Sequence, residues 1–250
     1  MSNSQPNYEA MFSGVIGKDY DLLKLICPAS IEMSRRVGET VATYPPAQNS
    51  PLKVVELGGG TGITTLAILS AAGNIELLSI DNEPTMQDQA KHNLKPWVDE
   101  GKLSFSGRDA LSALQQLPAA SVHVVASAYT LHNFPGDYRV RVVEEIFRVL
   151  VPGGWLVNGD RYALDDITEH TRSIQKEVGG YFKVLTELNR IDLLEHWIVH
   201  LFNDESENHV MRETPALSGL ENAGFTSIKL SNRQEVNALV TAVKPGSMAV

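Results

Sequence analysis

Val54-Val55-Glu56-Leu57-Gly58-Gly59-Gly60-Thr61-Gly62 is the stretch whose reading decides the fold. An apolar run rises into three consecutive glycines and then a fourth. That order suits a buried parallel strand, a tight turn and the start of a helix. Glycine tolerates positive φ and lets a ligand approach the backbone closely. A helix start adds N–H donors without helical partners and the positive end of a dipole. Glu56 stands at the strand end, placed to accept hydrogen bonds from a cationic or hydroxyl-bearing ligand. Taken alone, the turn also fits any tight strand-to-helix connection.

Working outward, Ile75–Ile80 is a second apolar run, and it closes on Asp81. That acid follows the glycines by about 20 residues, the usual spacing for a carboxylate that takes ribose hydroxyls. A third strand over Lys102–Ser106 leads into Gly107-Arg108-Asp109-Ala110, with a second acid. A fourth, Val122–Ser127, leads into Ala128-Tyr129-Thr130-Leu131-His132. In open α/β sheets, ligands bind beyond the carboxyl ends of the strands, where this segment falls. Pro152-Gly153-Gly154 reads as a turn before a fifth strand, Trp155–Asn158. Two strands, Phe225–Leu230 and Ala238–Val243, end the chain as a hairpin.

The spacing Glu56-x-Gly58-x-Gly60-x-Gly62, then Asp81, then Asp109-Ala110, resembles that of class I S-adenosylmethionine (SAM)-dependent methyltransferases. So does Leu150-Val151-Pro152-Gly153-Gly154-Trp155-Leu156. The resemblance covers roughly residues 50–162. It implies an α/β three-layer sandwich whose seven-stranded, mostly parallel sheet ends in a C-terminal antiparallel hairpin. It implies SAM as cofactor, S-adenosylhomocysteine as product, and methyl transfer to an O, N or C atom of a small molecule. One domain over residues 1–250 would comprise a helical cap (1–50), a SAM-binding core (51–164), a helical lid insertion (165–214) and a terminal helix with hairpin (215–250).

The same resemblance assigns roles. Glu56, Gly58, Gly60, Thr61 and Gly62 would shape the methionine pocket, with Tyr20 and Arg35 or Arg36 toward the methionine carboxylate. Asp81 and Asn82 would take the ribose, Met86 the adenine face, and Asp109 with Ala110 the adenine edge. Met86 equally suits a core contact, and Asp109 a helix N-cap. Ser127 to His132 would frame the reacting centre, with Tyr129 and His132 as catalytic candidates. A histidine titrates near neutrality, as a general base must, although one that packs or caps the next helix would look the same. Arg161, Tyr162, Tyr181 and Trp197 are candidates to hold the acceptor; Arg161 could equally pair with Asp160. DNA and protein amide N-methyltransferases carry an Asn- or Asp-Pro-Pro-aromatic motif after the fourth strand. Ser127-Ala128-Tyr129-Thr130 departs from it, which argues against a nucleobase acceptor.

Composition sets outer limits. A net charge of −9 argues against nucleic acid as the main partner, because phosphate binding needs a basic face. No apolar run is long enough to span a membrane. A single cysteine, Cys27, excludes an intrachain disulfide and a multi-cysteine zinc site, and a cytoplasmic location is expected. His196 and His200 share a helix face, but no third ligand follows in pattern, so no metal is expected. Tyr20–Ile26 reads as an apolar segment stopped near Pro28, and Ile31–Val41 as an amphipathic helix. In the insertion, Thr168–Val178 reads as one helix, Gly179-Gly180 as a break and Tyr181–Phe202 as a second helix. Its aromatic side chains suit a lid or a homodimer contact. Three other functions share parts of this pattern: an NAD-dependent oxidoreductase, a SAM-fold cyclase and a SAM-binding protein without catalysis.

Overall fold

A computed structural model of the chain describes residues 24–25, 27–45 and 50–246. Tyr20 and most of the expected apolar segment before Pro28 lie outside the described residues. Helix α1 (Pro28–Ala42) precedes β1 (Leu52–Leu57), α2 (Ile63–Ala71) and β2 (Ile75–Ile80). Then come α3 (Pro84–Asn93), α4 (Lys95–Asp99), β3 (Leu103–Ser106), α5 (Ala110–Gln116) and β4 (Val122–Ala128). A 3-10 turn, Leu131–Asn133, leads to α6 (Gly136–Val149) and β5 (Leu150–Arg161). Two insertion helices, α7 (Ile167–Glu187) and α8 (Ile191–Asp204), are followed by α9 (Glu213–Asn222), β6 (Thr226–Gln234) and β7 (Asn237–Val243).

The seven strands form one sheet in the order β3-β2-β1-β4-β5-β7-β6. The first five run parallel, and β7 joins β5 antiparallel. Alternate residues of each inner strand enter opposite cores, because side chains on a strand alternate faces. Val54 and Val124 pack with Met33 and Val37 of α1 and Leu66 and Ile68 of α2. Val55 and Val125 pack with Leu114 of α5, Val142 and Ile146 of α6 and Leu220 of α9. Burial on both faces explains why the strands read as continuous apolar runs. Among the described residues, no helix is long and apolar enough to cross a membrane.

The sequence reading and the structure part at four places. Pro152-Gly153-Gly154 does not precede β5 but bulges within it. Leu150 pairs with Val122 and Trp155 with Val124, so the intervening residues loop out opposite His123, with Gly153 at φ +81°. From sequence, Pro84 suits a helix start and one helix would run to about Trp97, but the helix breaks at Leu94, where Pro96 in the first turn of α4 has no N–H to continue the ladder. Helix α7 runs straight through Gly179-Gly180. Each glycine costs about 1 kcal/mol in a helix, too little to interrupt a helix capped by Asp166 and packed through Tyr181 and Leu185. The break falls instead at Leu188–Arg190, where Asn189 takes φ +53°. The terminal hairpin is longer than expected, turning at Glu235-Val236.

Close packing of α1 fixes the roof of the ligand side. A Cβ on Gly38 would lie 2.6 Å from the carbonyl carbon of Ala67, and one on Gly159 would lie 3.1 Å from Met33 Cβ. Gly38→Ala is therefore expected to lower the unfolding free energy by about 1–3 kcal/mol in urea denaturation, the usual cost of overpacking. Gly179 is helical with open space around it. Gly179→Ala should raise stability by about 0.5–1 kcal/mol in the same assay.

Candidate active site

Beyond β1 the backbone of Gly58 and Gly59 turns over the end of β2, both N–H groups pointing at the Ile80 carbonyl (2.8 and 3.3 Å). Gly58 (φ +72°), Gly60 (φ +52°) and Gly62 (φ +98°) all take the left-handed region that favours glycine. Thr130, on the segment after β4, fills the space a Cβ on Gly58 would need, and its hydroxyl donates to the Leu57 carbonyl (3.1 Å). A Cβ on Gly60 would meet nothing within 4 Å, so that backbone faces open space. The turn borders a cavity of about 570 Å3, within the ~300–1,000 Å3 range of small-molecule sites. Met86 and Thr85 of α3 line it toward β2, and Ala128 and Tyr129 toward β4. Ser30 and Ser34 of α1 and Trp197 of α8 also line it.

Asp81 locks the turn. Its Oδ2 accepts from Gly60 N at 2.7 Å and its Oδ1 from Glu83 N at 2.8 Å. Each oxygen keeps a second lone pair for a ligand hydroxyl. Gln87, buried beside it, donates to the carbonyls of Asp81 and Ser106 and so ties the ends of β2 and β3 together. Asp109 is the N-cap of α5, accepting from Ser112 N (3.0 Å) and the Tyr138 hydroxyl (2.8 Å), and the Ser112 contacts hold its pKa below the usual range. Asn82 is exposed, and Ala110 is buried in the α5 core; neither these two nor Asp109 is among the residues lining the cavity.

Glu56 is not at the cavity surface. It lies fully buried beneath Gly59, with Oε2 accepting from the Thr65 hydroxyl (2.6 Å) and Oε1 without a hydrogen-bond partner. Burial lifts its pKa to about 7, opposed by the Thr65 hydrogen bond and aided by the nearby Asp81 charge. Ser127 is likewise buried, its hydroxyl unpartnered.

The segment after β4 carries the two catalytic candidates, and the structure separates them. Tyr129 lines the cavity, held at φ +51°, with its hydroxyl donating to Asn237 Oδ1 at 2.6 Å. Burial pushes its phenol pKa well up. His132 lies behind Tyr129, the two rings edge to face at 6.1 Å, and is buried outside the cavity lining. Its Nδ1 meets Asp160 Oδ1 at 2.5 Å, and its Nε2 lies 3.6 Å from Asp204 Oδ2. Burial alone would lower the His132 pKa, but the charge and hydrogen bond of Asp160, joined by Asp204, outweigh it and lift the pKa to about 9. Both carboxylates thus favour the protonated ring, and the ring stands behind Tyr129 rather than at the cavity surface.

The expected acceptor residues scatter. Trp197 reaches the cavity. Tyr181 stacks at a tilt on Trp197 (6.0 Å) but lines a separate cavity of about 330 Å3. Tyr162 is buried in the core on the α6–α9 face, its hydroxyl accepting from Asn158. The Arg161 guanidinium pairs with Glu177 (2.8 Å) and Glu205 (3.2 Å) rather than with Asp160. Sequence reading missed Gln87 and Asp204, and it gave Thr130 and Asp160 no role of their own beyond framing the centre and pairing with Arg161. Each acts across a large sequence separation and has no local motif; only the position of Asp160 at the end of β5 could have drawn attention to it.

Comparison with known proteins follows the same geometry. A family profile described as a methyltransferase domain matches residues 54–154, from β1 into the β5 bulge. Residues 54–154 are a class I SAM-dependent methyltransferase domain. The chain is 26% identical to a carboxy-S-adenosyl-L-methionine synthase of Shewanella amazonensis, over 89% of this chain and 86% of that protein. It is 30% identical to a demethylmenaquinone methyltransferase of Deinococcus radiodurans, over 60% of this chain and 58% of that protein. An O-methyltransferase family protein of Burkholderia thailandensis has the same fold, with TM-score 0.63 and 14% identity over 94% of this chain and 63% of that one.

The cofactor of this methyltransferase is SAM, which leaves S-adenosylhomocysteine on methyl transfer. The residues present fit it. An open glycine backbone and the exposed side chain of Met86 line one cavity of suitable size, and Asp81, hydrogen-bonded to Gly60 N, stands behind that lining with spare lone pairs. Held there, SAM would have Asp81 within reach of its ribose, Met86 of its adenine and Gly60 of its methionine part. Asp81→Ala is expected to weaken S-adenosylhomocysteine binding at least about tenfold by calorimetry, since a charged hydrogen-bond acceptor is lost. Glu56 carries a pH signature. Its folded pKa of about 7 exceeds the ordinary carboxyl value of 4.5, so the folded state binds more protons between these values. Stability should fall as pH rises through that window and level off above it. Glu56→Gln should remove the slope, a difference of about 3 kcal/mol at most, read by denaturation at pH 5 and pH 8.

Proposed function

We propose that this methyltransferase moves the methyl group of SAM to an O, N or C atom of a small, flat, uncharged molecule. The observation that carries the reading is the lining of the cavity on its β4 and α8 sides. Ala128, Tyr129 and Trp197 are neutral and two are aromatic, and among the described residues no lysine or arginine lines the cavity. Aromatic faces favour a ring stacked against them over a charged chain. The name of the Deinococcus relative fits such an acceptor, a quinone ring. The name of the Shewanella relative denotes a SAM that carries an extra carboxylate. Such a product calls for a fixed cation beside the reacting carbon, and Arg161, the last residue of β5, is neutralised by Glu177 and Glu205.

Bound SAM supplies an electrophilic methyl group on a positively charged sulfur. The chain's contribution is placement. Tyr129 is fixed at both ends, by its backbone N–H to the Gly159 carbonyl (2.9 Å) and its hydroxyl to Asn237. Trp197 reaches in from α8. Two rings held in this way orient an acceptor for in-line attack, an effect worth roughly 7–11 kcal/mol when alignment is good. His132 acts as a positioning residue that anchors the Tyr129 segment.

The test is incubation with methyl-labelled SAM and a panel of phenols, quinols, amines and carbon acids. Label in one acceptor class, with S-adenosylhomocysteine released, is the expected result. A carboxylated SAM formed from a carboxylate donor, with no methylated product, would overturn the reading. Trp197→Ala should raise the acceptor KM about three- to tenfold, the scale of one aromatic contact.

A further inference from the structure

His132, on the segment after β4, and His200 and Asp204, one turn apart on α8, bring three ligand atoms within 4.8 Å of one another. His132 Nε2 and His200 Nε2 each lie 3.6 Å from Asp204 Oδ2. We propose that these three side chains form a binding site for a divalent first-row metal ion such as Zn2+.

Four features point the same way. First, Asp204 is 6% exposed, and its Oδ1 has no hydrogen-bond partner. A buried carboxylate oxygen without a donor is costly, and it marks a place where a ligand belongs. Second, Asp204 is the last residue of α8, at the negative end of the helix dipole, where an anion is disfavoured and a cation welcome. Third, the Nδ1 side of His132 is held by Asp160 at 2.5 Å, so its Nε2 is the nitrogen turned to the cluster. A carboxylate behind a ligating histidine is the usual outer support of a metal site. A cation bound there takes the place of the Nε2 proton. Fourth, His132 and Asp204 border a small, partly open space of about 10 Å3, enough for roughly one water or ion, although His200 does not line it. Arg161 borders it too, but its charge is matched by Glu177 and Glu205.

Two imidazoles and one carboxylate suit zinc and its neighbours rather than calcium or magnesium, which prefer oxygen ligands throughout. Only small movements separate the present spacing from a bound geometry, in which ligand atoms sit about 2.0–2.2 Å from zinc. His200 is partly exposed, so coordination positions on its side open to solvent. His196, the other histidine considered from sequence, is not in the cluster. The third ligand and the outer carboxylate come from elements far away in sequence. The site stands whatever the methyl acceptor is, although its position is suggestive: Tyr129 leans on His132 and Trp197 on His200 (rings 5.9 Å apart), and both rings line the cofactor cavity.

The test is titration of the chelator-treated full chain with Co2+, followed by its visible absorption, and with Zn2+ by calorimetry. One equivalent of each is expected, with Zn2+ displacing Co2+. His200→Ala and Asp204→Asn should each weaken Co2+ binding at least about tenfold while S-adenosylhomocysteine still binds, which shows that the variants are folded. His196→Ala should leave Co2+ binding unchanged. Absence of saturable binding would overturn the site, as would binding that survives both cluster substitutions or that depends equally on His196.

Discussion

One buried carboxylate holds the ligand side of the sheet in place. Asp160, at the end of β5, accepts from the backbone N–H groups of Leu131, His132 and Arg161, from the Asn158 amide, and meets the His132 ring. The segment after β4 has no regular secondary structure beyond one 3-10 turn, so its backbone donors need partners from elsewhere. Asp160 provides them from the neighbouring strand. Burial works to raise the Asp160 pKa, yet His132 and the surrounding donors together hold it below its ordinary value. Arg139 closes the same segment from the other side, donating to the carbonyls of Leu131, His132, Phe134 and His209. Tyr129 is aimed into the cavity because its neighbours are clamped in this way.

The glycine turn depends on the opposite condition, an absence of side chains. Thr130 and Ser79 occupy the positions that Cβ atoms on Gly58 and Gly59 would take. The turn can therefore lie flat on the strand ends and leave Gly60 open toward the ligand. Glu56 sits below it with one oxygen unpartnered, a placement that costs stability once the carboxyl ionises. Local destabilisation of this kind is common at sites built for binding rather than for packing.

The insertion joins the core largely through charge. Arg161 reaches from β5 to Glu177 of α7 and to Glu205 just beyond α8, and His170 of α7 meets Glu205 at 2.6 Å. Lys176 pairs with Glu235 in the terminal hairpin turn. The apolar cluster between α7 and α8, formed around Tyr181, Leu185, Leu194 and Leu201, is separate from the two cores of the sheet. Buried ion pairs fix geometry more than they add stability. The insertion is thus held in register over the cavity by Arg161, the residue that sequence had offered as a substrate contact.

What the amino-acid order determined by itself was the local grammar. The bounds of β1 and β2 coincide with the apolar runs Leu52–Leu57 and Ile75–Ile80, the glycine turn and the acid after β2 stand where pattern placed them, and the closing hairpin is present, though longer than the pattern implied. Strand alternation and turn chemistry act over a few residues, so they can be read directly from spacing. Tertiary structure decided which side chains share a site. It buried Glu56, sent Tyr162 to the opposite face, committed Arg161 to two carboxylates, and gathered His132, Asp160, His200 and Asp204 from three distant segments. The physical reason is that burial and charge pairing depend on distance in space. In a sheet ordered β3-β2-β1-β4-β5-β7-β6, with an insertion folded back over its edge, neighbours in space are set by crossovers and packing. No spacing along the chain encodes them.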